Sequence, residues 1–148
     1  MEDHRSSGIL LAVSSLPGPY GIGSLGGPAR RFVDFLAEAG QHYWQILPLV
    51  PPGDGSSPYM SPSAFAGNPY LIDLDELAAE GLLTPQELDG ARWPDPDRVD
   101  YDHLAQTRIP LLRKAWERSQ TARPALAGGL LHLRRPPRPV SSPFLAVA

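Results

Sequence analysis

The sequence predicts an α/β fold built on a parallel strand–helix–strand unit with a long loop and further helices behind it, and three observations carry that reading. Gly8 to Ser15 is a continuous apolar run that ends in Ser14-Ser15-Leu16-Pro17-Gly18-Pro19, as a short buried strand closed by turn residues would be. Phe32, Phe35, Leu36 and Ala39 then recur at helical spacing, with Pro28 in the first turn and Gly40 just past the last. Tyr43 to Val50 is a second aromatic and branched run, stopped by Pro51-Pro52-Gly53. Two strands joined by one helix are parallel with a right-handed crossover, and apolar runs that do not alternate imply strands covered on both faces.

The rest of the chain follows the same logic. Pro51 to Pro69 shows no periodicity and is rich in Gly, Pro and Ser, a loop longer than a compact domain ordinarily keeps without a use for it. Leu71 to Leu74 reads as a brief strand, after which Asp73 or Asp75 caps a short helix reaching Gly81. Thr84-Pro85-Gln86-Glu87 is a capping box with proline at N1, so another helical turn starts there. Arg92 to Asp100 is a loop. Leu104, Arg108, Leu112, Ala115 and Trp116 trace one face of a further helix that Pro110 is expected to kink or to delay.

Composition narrows the functional classes. The 148 residues suffice for one ordinary domain, whereas a complete (β/α)8 barrel needs roughly 250. Eighteen prolines and 14 glycines make more than a fifth of the chain, so loops are abundant. The absence of cysteine excludes disulfides, thiolate metal sites and cysteine nucleophiles. Ile9 to Val13 is too short for a signal segment or a membrane span, which points to a soluble, cytoplasmic protein with no membrane partner. His4, His42, His103 and His132 lack metal-ligand spacing, no phosphate-cradling glycine loop or nucleophile elbow occurs, and no cofactor is implied.

Charge divides the chain. All 16 acidic residues precede Arg118, while 5 of the 13 basic residues, all arginines, follow from it onward. The expected division is therefore 1–117 as the folded part and 118–148 as a basic, Pro/Arg-rich tail, either disordered or the product of a shifted reading frame. Pro136-Pro137-Arg138-Pro139 would also suit a polyproline-binding protein partner. Five arginines without interleaved aromatics do not make a nucleic-acid site.

Four blocks in order carry a resemblance: Ser15-Leu16-Pro17-Gly18-Pro19-Tyr20-Gly21-Ile22-Gly23-Ser24-Leu25-Gly26; Tyr43-Trp44-Gln45-Ile46-Leu47-Pro48-Leu49; Ser57-Pro58-Tyr59 with Ser63-Ala64-Phe65-Ala66-Gly67-Asn68-Pro69; and Val99-Asp100-Tyr101 followed by Pro110-Leu111-Leu112. Over roughly residues 5 to 117 the chain resembles the opening of the amylomaltase family of 4-alpha-glucanotransferases. The resemblance implies the first βαβ unit of an incomplete (β/α)8 TIM barrel. It also implies transfer of α-1,4-glucan segments between maltodextrins with retention of configuration. A retaining pair of carboxyl groups about 5–5.5 Å apart is needed for that chemistry, and in the family it lies downstream of the matched region, so no catalytic residue is assigned here.

Substrate contacts are expected at Ser57, Tyr59 and Asn68, on the loop after the second strand. Such loops build the active face of a barrel; a tyrosine can stack on a sugar ring, and Ser and Asn offer donors and acceptors to its hydroxyls. The competing structural reading has Ser57 and Asn68 satisfying turn backbone and Tyr59 covering a neighbouring loop. Tyr101 matches a position tied in some members to a second glucan site, against the alternative of an aromatic packing a loop on a helix. Asp54 stands where thermophilic relatives carry an aromatic of that second site. Two other functional classes remain open, a non-catalytic glucan-binding fragment and a protein-interaction module acting through the tail. With its barrel strands left without neighbours, the isolated chain is expected to be poorly soluble or molten.

Overall fold

A computed structural model of the chain describes residues 5–93, 95 and 98–122. Strand β1 (Gly8–Leu10) pairs in parallel with β2 (Tyr43–Gln45), in the register Gly8 to Tyr43, Ile9 to Trp44 and Leu10 to Gln45. Between them runs helix α1 (Gly27–Glu38), with Pro28 in its first turn and Gly40 at a φ of 67° closing its end, a conformation that suits glycine. The strand–helix–strand order and the parallel pairing expected from the apolar runs are both present.

The strands are shorter than those runs. Leu11 still donates to the Gln45 carbonyl at 3.0 Å, but Val13–Ser15 then coils into a turn of 3₁₀ helix, and the Ser14 carbonyl accepts from Gly23 N–H. The serine and proline punctuation pulls the backbone out of the ladder before the apolar run ends. Nor are the strands covered on both faces: Ile9, Leu10 and Tyr43 are exposed, Leu10 by 59%. Each strand has a single described partner, so the double burial that its composition anticipates is not met among the described residues.

After the loop from Pro51, Pro69–Leu71 forms a 3₁₀ turn and Leu74 already opens a helix, so the strand expected over Leu71 to Leu74 does not form. Leu71 and Ile72 N–H donate to the Asn68 and Pro69 carbonyls, while Asn68 Oδ1 accepts from Tyr70 N–H at 3.0 Å and the Asp73 side chain accepts from Asp75 and Glu76 N–H, so local bonds take the backbone that a ladder would need. Helices α2 (Leu74–Ala79) and α3 (Pro85–Asp89) follow, the latter with both halves of the Thr84/Glu87 capping box in place. Helix α4 (Tyr101–Ala122) starts at Tyr101, with Asp100 Oδ1 accepting from His103 N–H, and continues through Pro110, so the proline neither delays the helix nor ends it.

Two apolar clusters hold these elements. One gathers Val13, Leu16, Ile22, Ala29, Leu71 and Leu104, joining the loop after β1 to α1 and α4. The other gathers Tyr20, Leu74, Leu82, Leu83, Leu88 and Leu111 between α2, α3 and α4. The buried face of α4 is Leu104, Arg108, Leu111 and Ala115, while Trp116, expected on it, is exposed. Helix α4 crosses residue 117 without a break, and Arg118 binds Glu87 by two nitrogens, at 2.7 and 2.9 Å, and the Leu82 carbonyl at 2.9 Å. Residues 123–148, the greater part of the segment read as a basic tail, lie outside the described residues.

Leu74, 1% exposed, sits where α2 meets the second cluster. Leu74→Ala is expected to cost about 2–5 kcal/mol, measured as a lower urea midpoint by tryptophan fluorescence.

Candidate functional site

Both loops that follow the C-terminal ends of the strands emerge on one side of the parallel pair, the side on which open and closed parallel sheets bind ligands. The first runs from Leu11 to Gly26 and the second from Ile46 to Asn68. The second is closed at its base by Asn68 N–H donating to the Leu49 carbonyl at 2.9 Å. Within it Gly53 N–H reaches Ser57 O at 3.3 Å, and Gly55 and Ser56 both take positive φ, of 70° and 61°. A left-handed serine is uncommon and marks a tightly specified turn. Serine hydroxyls stitch the remainder: Ser63 Oγ accepts from the N–H groups of Phe65 and Ala66, at 3.3 and 3.2 Å, and Ser61 Oγ donates to Ser63 O at 2.9 Å.

That turn places Tyr59 outward, 72% exposed, beside Met60 and the fully exposed Phe65. Ser57 Oγ accepts from Tyr59 N–H at 3.3 Å and Asn68 Oδ1 from Tyr70 N–H at 3.0 Å, so each of these polar side chains has one backbone partner. Those bonds leave the hydroxyl hydrogen of Ser57 and the amide NH₂ of Asn68 uncommitted by them.

Tyr101 stands apart from the other three. It is half-buried at the start of α4, meets Tyr70 edge to face with ring centres 5.7 Å apart, and packs against the first cluster. Burial raises its phenol pKa, with hydrogen bonding to Ser14 opposing. One side of Tyr101 nevertheless lines a cleft of about 470 Å³ together with Ser56, Trp93, Arg98 and Asp100. Sequence reasoning passed over Trp93. Its ring lies 3.9 Å from that of His103, centre to centre, and the Trp93 Nε1 and His103 Nε2 atoms are buried without a hydrogen-bond partner among the described residues. The signal that could have found it is an aromatic inside a Pro- and Asp-rich loop that Asp100 then closes by capping α4.

Charged groups near these loops are taken up structurally. Asp73 is buried and accepts four hydrogen bonds: from Ser24 Oγ (2.7 Å), Gly27 N–H (3.2 Å), Asp75 N–H (2.9 Å) and Glu76 N–H (3.2 Å). Burial alone would raise its pKa, but the Ser24 hydroxyl and the three N–H groups outweigh it and hold the carboxyl below its usual range. Asp75 accepts from the Tyr20 hydroxyl, whose pKa is pushed above the usual phenol range by burial first and by that bond second. Of the two candidates for the cap, Asp73 therefore caps α2, and Asp75 braces Tyr20. Arg108 is 2% exposed; burial pulls its pKa down to about 10, opposed by Asp73 and Tyr20. Among the described residues, no group of three His, Cys, Asp or Glu side chains is placed to hold a metal, and no helix is long and apolar enough to cross a membrane.

The sign of the Asp73 shift sets a pH dependence. A depressed carboxyl stabilises the fold fully above its unfolded-state value of about 4, and this contribution is lost as pH falls through the lower folded-state value. Stability followed by circular dichroism is expected to fall away below about pH 4. Asp73→Asn should remove that limb and lower stability at neutral pH; an identical acid limb in both proteins would contradict the assignment.

Comparison with known proteins identifies the family. The family model for 4-alpha-glucanotransferase matches residues 11–128, past the 117 boundary and into the basic segment. The 4-alpha-glucanotransferases of Streptococcus pneumoniae serotype 4 and Thermus thermophilus are each 53% identical, over 77% and 78% of this chain and 23% and 22% of their own lengths. The chloroplastic/amyloplastic 4-alpha-glucanotransferase of Solanum tuberosum is 44% identical over 91% of this chain and 24% of its own length. Among solved structures, the amylomaltase from Streptococcus agalactiae in complex with acarbose superposes with a TM-score of 0.82 at 42% identity, covering 88% of this chain and 27% of that one. The chain spans about a quarter of the length of the relatives it matches, and within that span it belongs to the 4-alpha-glucanotransferase family, a family of glycosyl-transferring enzymes.

Proposed function

We propose that this chain supplies the first βαβ unit of a (β/α)8 barrel that transfers α-1,4-glucan segments between maltodextrins with retention, and that it contributes sugar contacts rather than the reacting carboxylates. The observation that carries the reading is the loop after β2: internally fixed, placed at the ligand-binding end of a parallel pair, and presenting Tyr59 to solvent. An exposed tyrosine costs burial energy that stacking on a pyranose face would recover. Ser57 and Asn68 would offer their remaining hydrogen-bonding groups to neutral hydroxyls. Tyr101 would present its cleft-facing side to glucan while its other side packs against Tyr70. The acarbose complex of the streptococcal amylomaltase supports a glucan as the ligand class.

Retaining transfer would need a carboxyl pair about 5–5.5 Å apart. The nearest candidates by sequence, Asp73 and Asp75, are occupied by helix capping and by Tyr20, which supports a reaction centre built from other residues of a longer polypeptide. Cytoplasmic location is part of the same proposal; the plastid destination in the potato relative's name belongs to that protein.

Titrating the labelled chain with a maltodextrin while following backbone amides by NMR tests the contact. Shifts are expected at Ser57 to Asn68, Tyr59→Ala should weaken binding by about 1–3 kcal/mol, and maltotriose should yield no glucose. Binding unaffected by Tyr59→Ala would remove the loop from the site, and glucose release by the pure protein would overturn the division of labour.

A further inference from the structure

The end of the first loop meets the segment that leads out of the second at a carboxylate. Asp73 lies 7% exposed between them. Its Oδ2 accepts from Ser24 Oγ and from Gly27 N–H, at the end of the first loop and the start of α1. Its Oδ1 accepts from the N–H groups of Asp75 and Glu76 in the first turn of α2, which the 3₁₀ turn Pro69–Leu71 connects to the second loop. Beside it Leu25 N–H donates to the Leu71 carbonyl at 2.9 Å. The neighbouring Asn68–Leu49 bond then closes the second loop.

We infer that Asp73 is a positioning residue that locks the loop after β1 and the loop after β2 into one frame. Three features distinguish this from an ordinary helix cap. Capping α2 uses only Oδ1; Oδ2 is spent entirely on the other loop. Every donor around the carboxylate except Ser24 is a backbone N–H, which cannot turn round to accept, so an amide at position 73 would aim its NH₂ at a fixed donor. Finally, a Cβ at Gly26 would stand 2.1 Å from Asp73 Oδ2, so the first loop is shaped to let the carboxylate in. Arg108 from α4 closes the back of the pocket, donating to the Ile72 carbonyl and favouring the charge on Asp73. That these loops form a sugar-contacting face is the reading proposed above; the joint can be tested with no sugar present, so the two ideas fail separately.

Amide exchange on the full-length labelled protein measures the joint. In Asp73→Asn and in Gly26→Ala the amides of Leu25, Gly27 and Asn68 are expected to exchange about tenfold faster. The amides of Leu88 and Leu104, bonded within α3 and α4, should stay within about twofold. Asp73→Ser separates the two roles, because serine can cap α2 but is too short to reach Ser24 and Gly27 as well. It should protect Glu76 as in the parent and still release Leu25 and Asn68. Ser24→Ala, which removes a single donor, gives the same pattern more weakly and decides the matter if the Asp73 variants do not fold. Parent-like exchange at Leu25 and Asn68 in Asp73→Ser and Ser24→Ala, or uniform acceleration that includes Leu104, would overturn the inference.

Discussion

The arrangement depends on one buried anion being fully solvated by the protein. Moving a carboxylate out of water is costly unless its lone pairs find donors, and Asp73 finds four, from Ser24, Gly27, Asp75 and Glu76. Two of the N–H groups start α2 and one starts α1, so the partial positive charge at two helix ends converges on the same group. The helices, the backbone bond from Leu25 to Leu71 and the packing of Ile22, Leu71 and Leu104 all require the geometry that this anion sets.

What could be read from the sequence was what is local. The Thr84/Glu87 box, Pro28 with Gly40, and capping by Asp73 are decided within four residues or at one helix's ends, and they form as the side-chain chemistry dictates. The partner of Asp73 on the first loop, Ser24, is 49 positions away and leaves no periodic trace. Leu71 to Leu74 reads as a strand from its branched, apolar composition, whereas Leu71 and Ile72 donate to the Asn68 and Pro69 carbonyls in a 3₁₀ turn and the Asp73 side chain caps a helix that begins at Leu74. Pro110 misled in the other direction: burial of Leu104, Arg108, Leu111 and Ala115 along one face outweighs one missing N–H.

The candidate site was legible as a loop and not as a set of contacts. Its length and its Gly, Pro and Ser content announced Pro51 to Pro69, and the structure adds the serine bonds that shape it. Ser57 and Asn68 each spend one acceptor on turn backbone, as the structural reading of them expects, and keep further hydrogen-bonding groups. Tyr101 likewise packs on Tyr70 with one side and borders the cleft with the other. Trp93 carried no pattern; its place beside that cleft comes from the fold of an irregular segment. Ile9, Leu10 and Tyr43 remain uncovered for the complementary reason, since their apolar character is suited to neighbours beyond the described pair.

Helix α4 has its first residue, Tyr101, at the cleft, and its other end is tied down by Arg118 on Glu87 and Leu82. Its 22 residues rise about 33 Å. The helix therefore acts as a rigid spacer that carries the polypeptide away from the ligand face. Its heading is held by a guanidinium-carboxylate pair about 25 Å along the helix from the cleft.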